Sequence, residues 1–253
     1  MAALFSAFGQ TFFIGLFGAE FRAAFDLSDA GLGALYSGAT LVSGIGMFWL
    51  GSVADRFPLR RVIVAVLLLL ASGAWLVSVS TSAWMLLPGL FLIRLSGQGL
   101  MGHLGVVAAG RYAVHRRGRA LAMVSYGFIL GEACFPPLVA SALTELDWRL
   151  VWGACSVLLI VVAAPLMYWL GRPLTGNPAA EAEAASPDPN PGRPDLRRVT
   201  LLADSSFLRV LFVVLVPPIV VTATFLHQGA ISERQDWTLL EVGRGFVAFA
   251  IIQ

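Results

Sequence analysis

The chain has 253 residues, of which 58% are hydrophobic and 13% charged, and a formal net charge of +2. A soluble domain carries charge on roughly a quarter of its residues, so this composition excludes water as the main solvent of the chain. The small net charge, with basic residues in short scattered clusters, excludes a nucleic-acid partner.

The apolar residues fall in runs of about twenty, the length at which a helix crosses a bilayer. The first, residues 2 to 20, has no basic region before it and no small-residue cleavage site after it. It therefore reads as a membrane helix and not as a signal peptide. Five more runs follow at residues 31 to 53, 60 to 80, 83 to 108, 119 to 143 and 149 to 170. From Pro173 to Asp195 the composition turns to Pro, Ala and acidic residues with almost nothing to bury, which predicts a flexible linker. A seventh run spans residues 206 to 229, with Pro217-Pro218 predicted to break it near its middle. An eighth begins near Leu239 and reaches Gln253 short of a full span, so the chain is expected to be a fragment that lacks further C-terminal helices. The expected organisation is an all-α polytopic membrane protein. Residues 1–172 form a six-helix bundle, 173–203 a cytoplasmic linker and 204–253 the start of a second bundle.

All seventeen basic residues other than histidine are arginine. Arg56, Arg60 and Arg61 follow the second run, Arg111, Arg116, Arg117 and Arg119 the fourth, and Arg172, Arg193, Arg197 and Arg198 the sixth. The alternate loops hold Arg22, Arg149 and Arg234 singly beside acidic residues. The positive-inside rule then predicts a multi-pass protein of the cell membrane, plasma or bacterial inner, with a cytoplasmic N-terminus. Cys134 and Cys155 lie inside apolar runs without CxxC spacing, so neither a disulfide nor a metal site is indicated.

An internal echo pairs Gly9-Gln10, Arg22 and Tyr36-Ser37-Gly38 with Gly97-Gln98, Arg111 and Ser125-Tyr126-Gly127. The offset is near ninety residues, one three-helix unit, which predicts two inverted repeats of three helices. Arg94 stands eleven residues into the fourth run, about 16 Å deep at 1.5 Å per residue. A guanidinium at that depth costs roughly 2.5 to 3.5 kcal/mol unless it faces a cavity or a partner. Glu132, about fourteen residues into the fifth run, reaches nearly the same depth. Two outcomes are open for it. Paired with Arg94 it stays ionised and positions helices, and unpaired in a dry site it carries a proton.

The loop from Gly51 to Arg61 reads GSVADRFPLRR. It resembles the GxxxD(R/K)xGRR motif between the second and third helices of the major facilitator superfamily, with Pro58 in place of the glycine. The resemblance implies a cytoplasmic gate element at Gly51, Asp55, Arg56, Arg60 and Arg61. The stretch Arg94 to Gly99 is similar to the RxxxGxG element of the same family. Gly127, Gly131, Glu132, Pro136 and Pro137 resemble its fifth helix, but Glu132 replaces the proline expected in drug/proton antiporters. Helices 1 and 4 line the cavity in that fold, which makes Gln10, Gln98 and His103 candidates beside Arg94 and Glu132; helix-to-helix hydrogen bonding explains them as well. His227-Gln228 resembles a short element at the outer gate of some members. Trp148-Arg149 resembles a pair common at the start of the sixth helix and reads as an interfacial anchor.

No Walker motif, HExxH, GxSxG or Cys/His cluster is present, so no enzyme activity and no cofactor are expected. The resemblance implies a secondary transporter of a small polar or anionic solute, driven by a proton or solute gradient and working by alternating access. Its partners would be the solute, the bilayer and the remaining helices of the same protein. A drug or metabolite efflux antiporter and a non-transporting sensor on the same scaffold are the alternatives.

Overall fold

A computed structural model describes residues 1–113, 116–174 and 203–252. Nearly all of the expected linker lies outside the described residues.

The first crossing is two helices, α1 (Ala2–Gly9) and α2 (Thr11–Phe25), bent by 45°. The break falls at Gln10, whose backbone is extended (φ −81°, ψ 152°), while its carbonyl accepts from the Phe13 and Ile14 amides and starts the second half. Asp26 ends α2 in the left-handed conformation at φ 51°. The Ser28 hydroxyl then accepts from the Gly31 amide at 3.0 Å and caps α3 (Asp29–Leu50). A single-turn helix, α4 (Val53–Arg56), turns the chain into α5 (Leu59–Ser78), with Pro58 at its N-cap.

Ser82 caps α6 (Ala83–Tyr112), which continues through Pro88 and takes π-helical turns over Arg94–Met101. Then come α7 (Arg117–Ala142) and α8 (Trp148–Leu170), the latter capped by Asp147 on the Arg149 amide at 2.8 Å. Among the residues described from 203 on, Asp204 caps α9 (Ser205–Leu226), and a short α10 (Gln228–Arg234) leads to α11 (Leu239–Ile252). A reciprocal box starts α11: Thr238 Oγ1 accepts from the Glu241 amide at 3.2 Å, and Glu241 Oε2 accepts from the Thr238 amide at 2.7 Å.

Six of these helices are long and apolar enough to cross a membrane, and the bent pair makes a seventh. The apolar surface confirms the solvent: α3 exposes Leu41, Val42, Ile45, Phe48 and Trp49, and α9 exposes Phe212, Val213, Val214, Ile219 and Val220. Faces of this kind are unfavourable in water and at rest in lipid. The break expected at Pro217-Pro218 does not occur. The two prolines deprive the Val213 and Val214 carbonyls of their helical donors, yet α9 runs through them as one helix of 22 residues.

An aromatic core joins the first, fifth and sixth crossings. Phe13 and Phe17 of α2 pack on Trp152 of α8 with centroids 5.3 and 4.9 Å apart, and Phe8 meets Phe135 of α7 at 4.7 Å. Trp148 belongs to this core and is not the interfacial anchor its position suggested. It is 3% exposed, because Phe21 and Phe25 project from the end of α2 to meet it at 5.2 and 6.0 Å. Arg149 closes that end, with its guanidinium 4.1 Å over the Trp148 ring and Nη2 donating to the Ser80 carbonyl at 3.2 Å.

Candidate functional site

The break in the first crossing creates a problem and a site together. An extended Gln10 takes the Gly9 carbonyl out of the helical ladder, deep inside the bundle, where an unsatisfied acceptor is costly. Arg94 of α6 answers it: Nη1 donates to Gly9 O at 2.9 Å and to Thr11 Oγ1 at 3.3 Å, and Nε donates to Thr40 Oγ1 at 3.2 Å. The guanidinium carbon stands 4.9 Å from the centroid of the Tyr36 ring, and the Tyr36 and Thr11 hydroxyls share a hydrogen bond of 2.6 Å. Arg94 is 4% exposed and Tyr36 2%, so a cation is held in the bundle by a carbonyl, hydroxyls and a π face. Its Nη2 has no hydrogen-bond partner among the described residues, which leaves one nitrogen, with its two N–H groups, for a further acceptor.

The approach that permits this is backbone on backbone. A Cβ on Gly9 would lie 2.2 Å from the Ile93 carbonyl oxygen and 2.6 Å from Gly97 Cα, so α1 and α6 touch where neither has a side chain. These are the two positions that the internal echo pairs. The π-helical turns of α6 begin at Arg94 itself, and such turns are frequent where a helix carries a functional side chain.

Glu132 is 7% exposed on α7. Its neighbour Gly131 packs on Leu4 and Ala7 of α1, one turn from the carbonyl that Arg94 takes. The side-chain hydrogen bonds of Arg94 go to Gly9, Thr11 and Thr40. Gln98 lies beside the Gly9–Gly97 contact, and its Oε1 is buried without a hydrogen bond. Gln10 contributes its backbone break, and its side chain is partly buried.

His103 joins a different group. Its Nε2 lies 3.1 Å from the Gly51 carbonyl, and together with Met47, Phe48, Ser52, Asp55 and Val107 it lines a recess of about 400 Å³ at the arginine-rich end. Here Asp55 takes an ion pair from Arg111 Nη2, while Arg111 Nη1 donates to the Ala54 carbonyl at 2.8 Å. The aspartate thus binds α4 to the end of α6. Arg60 Nε donates to the Tyr168 carbonyl at 2.8 Å and its guanidinium stacks 3.5 Å over the Tyr168 ring, which fastens α5 to α8. Arg56 and Arg61 are exposed.

At the opposite end, α2 and α3 meet the helices that follow the linker. Arg22 Nη1 donates to Asp29 at 2.5 Å and Nη2 to Glu233 of α10 at 2.7 Å. Gln228 is buried and its Nε2 donates to the Phe12 carbonyl at 2.9 Å. A Cβ on Gly15 would fall 2.0 Å from the Phe225 carbonyl oxygen, and one on Gly33 would fall 3.6 Å from the His227 ring. The structure brings the sequence candidates His227 and Gln228 against the first crossing and α3, and adds the ion clasp of Arg22, Asp29 and Glu233, whose members lie 211 residues apart at the extreme and which the sequence reading missed. It also missed Thr11 and Thr40 as ligands of Arg94. Tyr36 and Thr40 are four residues apart on α3 and so share one face, a signal that is visible only once Arg94 is known to face α3.

A family model described as Major Facilitator Superfamily matches residues 1–253. A putative uncharacterized transporter of Escherichia coli (strain K12), YgaY, is 31% identical over 150 residues, which cover 59% of this chain and 37% of that protein. The multidrug resistance protein MdtH of Klebsiella pneumoniae (strain 342) is 30% identical over 125 residues, 48% of this chain and 30% of that protein. The matched stretch of this chain thus spans well under half the length of either relative. No solved structure matches the chain.

Proposed function

Because this chain belongs to the Major Facilitator Superfamily, we propose that it is the first half, with the beginning of the second, of a secondary transporter that moves a small polar or anionic solute by alternating access. The Arg94 cluster carries this reading. A guanidinium this deep is a functional feature by default, and here it is anchored on three protein acceptors with one nitrogen left over. An anion that met Nη2 would bind beside the break in the first crossing, near mid-bilayer, where transporters of inverted-repeat design hold their cargo.

The clasp of Arg22 with Glu233, the Gln228 bond to Phe12 and the Gly15 contact with Phe225 all cross from the first bundle to the second at one end. We read them as a closed outer gate, and the recess of Gly51, Asp55 and His103 as part of the opposite, cytoplasmic gate. This orientation follows the arginine distribution and puts the N-terminus in the cytoplasm. Glu132, flanking the same half-helix as Arg94, is the proposed coupling carboxylate.

Drug efflux is the second reading, favoured by the likeness to a multidrug resistance protein. The two readings differ in the charge of the cargo, since a cationic drug is repelled by Arg94. The test is uptake by proteoliposomes of the full-length protein, with labelled organic anions, neutral polyols and a cationic dye at two pH values. Accumulation of an anion that is lost in Arg94→Gln is the expected result. Transport of the cation with no effect of Arg94→Gln would overturn the anion reading, and an absence of movement for every solute would favour the sensor alternative.

A further inference from the structure

The corner where α3 passes through α4 into α5 holds a groove of about 410 Å³. It is lined by Leu50, Val53 and Phe57, by Val66 and Leu69 of α5, and by Leu100 of α6. The lining is almost wholly apolar, and its one charged member is Arg61. Arg61, Ala65 and Leu69 follow one another at four-residue steps, so they form a single stripe on α5. Eight residues at 1.5 Å per residue carry that stripe about 12 Å from the arginine into the hydrocarbon. The neighbouring cations are already in use: Arg60 is fixed on Tyr168, and Arg111 on Asp55 and Ala54. The Arg61 guanidinium has no hydrogen bond or ion pair among the described residues, and Phe57 beside it is 54% exposed at the same end.

We propose that this groove binds one molecule of an anionic phospholipid from the leaflet at the arginine-rich end, with an acyl chain along the α5 stripe and the phosphate on the Arg61 guanidinium. The charge complementarity is direct, because a guanidinium offers a planar fork to phosphate oxygens and basic residues beside a membrane span attract anionic lipid. A free phosphate would satisfy Arg61 and leave the apolar walls empty. A neutral lipid would fill the walls and leave the arginine without its counter-charge.

The test is native mass spectrometry of the full-length protein released from mixed micelles with phosphatidylglycerol or phosphatidylcholine added. We expect one phosphatidylglycerol retained about fivefold more than phosphatidylcholine, the scale of one arginine near a membrane surface. Arg61→Gln should bring retention down to the phosphatidylcholine level, whereas Arg61→Lys keeps a preference for the anionic lipid. Arg56→Gln, which removes the same charge from the same end without lining the groove, should leave retention unchanged. Ala65→Phe fills the groove and should lower retention of both lipids. The proposal is overturned if the two lipids are retained equally, if Arg56→Gln and Arg61→Gln act alike, or if Ala65→Phe has no effect. It also fails if a cysteine at Ala65 cross-links in membranes to a later helix of the same protein, because the groove would then be filled by protein. Thermal unfolding of each variant separates loss of lipid from loss of fold.

Discussion

Replacing Gly9 with alanine tests the central contact directly. The new Cβ would lie 2.2 Å from the Ile93 oxygen and 2.7 Å from the Gln98 nitrogen, both backbone atoms that cannot rotate away. Ordinary contact begins at 3.4 Å, so α1 and α6 must separate by about 1.2 Å. That separation would stretch the Arg94 bond to Gly9, now 2.9 Å, beyond hydrogen-bonding range. Overpacking of this kind costs about 1–3 kcal/mol. The lost bond adds about 0.6 kcal/mol on the scale of membrane proteins and up to about 3 kcal/mol for a charged donor. The expected loss is therefore about 2–6 kcal/mol, read by equilibrium unfolding of the full-length protein in mixed micelles. Gly97→Ala requires the same separation, so the double variant should fall at least ~1 kcal/mol short of the sum of the two. Gly38, whose Cβ would meet nothing within 4 Å, is the control, and its alanine variant should be neutral or more stable by up to ~1 kcal/mol. A Gly9→Ala protein within ~0.5 kcal/mol of the parent, or strict additivity with Gly97→Ala, would refute the reasoning.

Tyr36→Phe removes the bond to Thr11 and keeps the ring against Arg94, so unfolding should lose about 0.5–1.5 kcal/mol with Arg94 still held; a loss above ~3 kcal/mol would mean that the hydroxyl supports more than Thr11. Arg22→Gln should change stability by less than ~1 kcal/mol, because Asp29 and Glu233 are 42% and 56% exposed, yet thiol labelling of a cysteine placed at Gly33 should rise severalfold as the clasp opens. Unchanged labelling would remove Arg22 from the gate. Asp55→Asn breaks the pair with Arg111 at a carboxylate that is 65% exposed, so it should cost under ~1 kcal/mol in unfolding while transport by the full-length protein falls about tenfold. Wild-type transport rates would deny the corner a gating role. Gln228→Leu leaves the Phe12 carbonyl without its donor and should destabilise by about 1–3 kcal/mol, whereas Gln228→Glu should do so more strongly, since an ionised carboxylate cannot donate; equal effects would argue against the bond.

Most of the fold was legible because bilayer thickness fixes the length of an apolar run and leaves few ways to misread it. Each of the expected crossings has its helix. Departures arose where tertiary contacts override local chemistry. The sequence at Pro217-Pro218 says break, but a membrane helix with no competing water hydrogen bonds stays helical through the pair. The sequence at Gln10 says nothing of a break, and one occurs, because Gly9 must lie against Gly97 and Arg94 donates to the freed carbonyl. Counting residues along a helix predicts a depth for Arg94 and Glu132 and nothing more. Azimuth did not follow from depth, and azimuth decides that Arg94 turns to Thr40 and Tyr36 of α3.

Gly9 and Gly15 put the first crossing in bare contact with two different neighbours, α6 below and α9 above. A joint made of interlocked side chains can slip only by hopping from one set of rotamers to the next, as gear teeth do. Here the opposed surfaces are peptide planes, so sliding along the helix axis meets no teeth. Of the two contacts only the one at Gly15 joins the first bundle to α9, so under the proposed function it is there that a side chain larger than hydrogen would act as a stop.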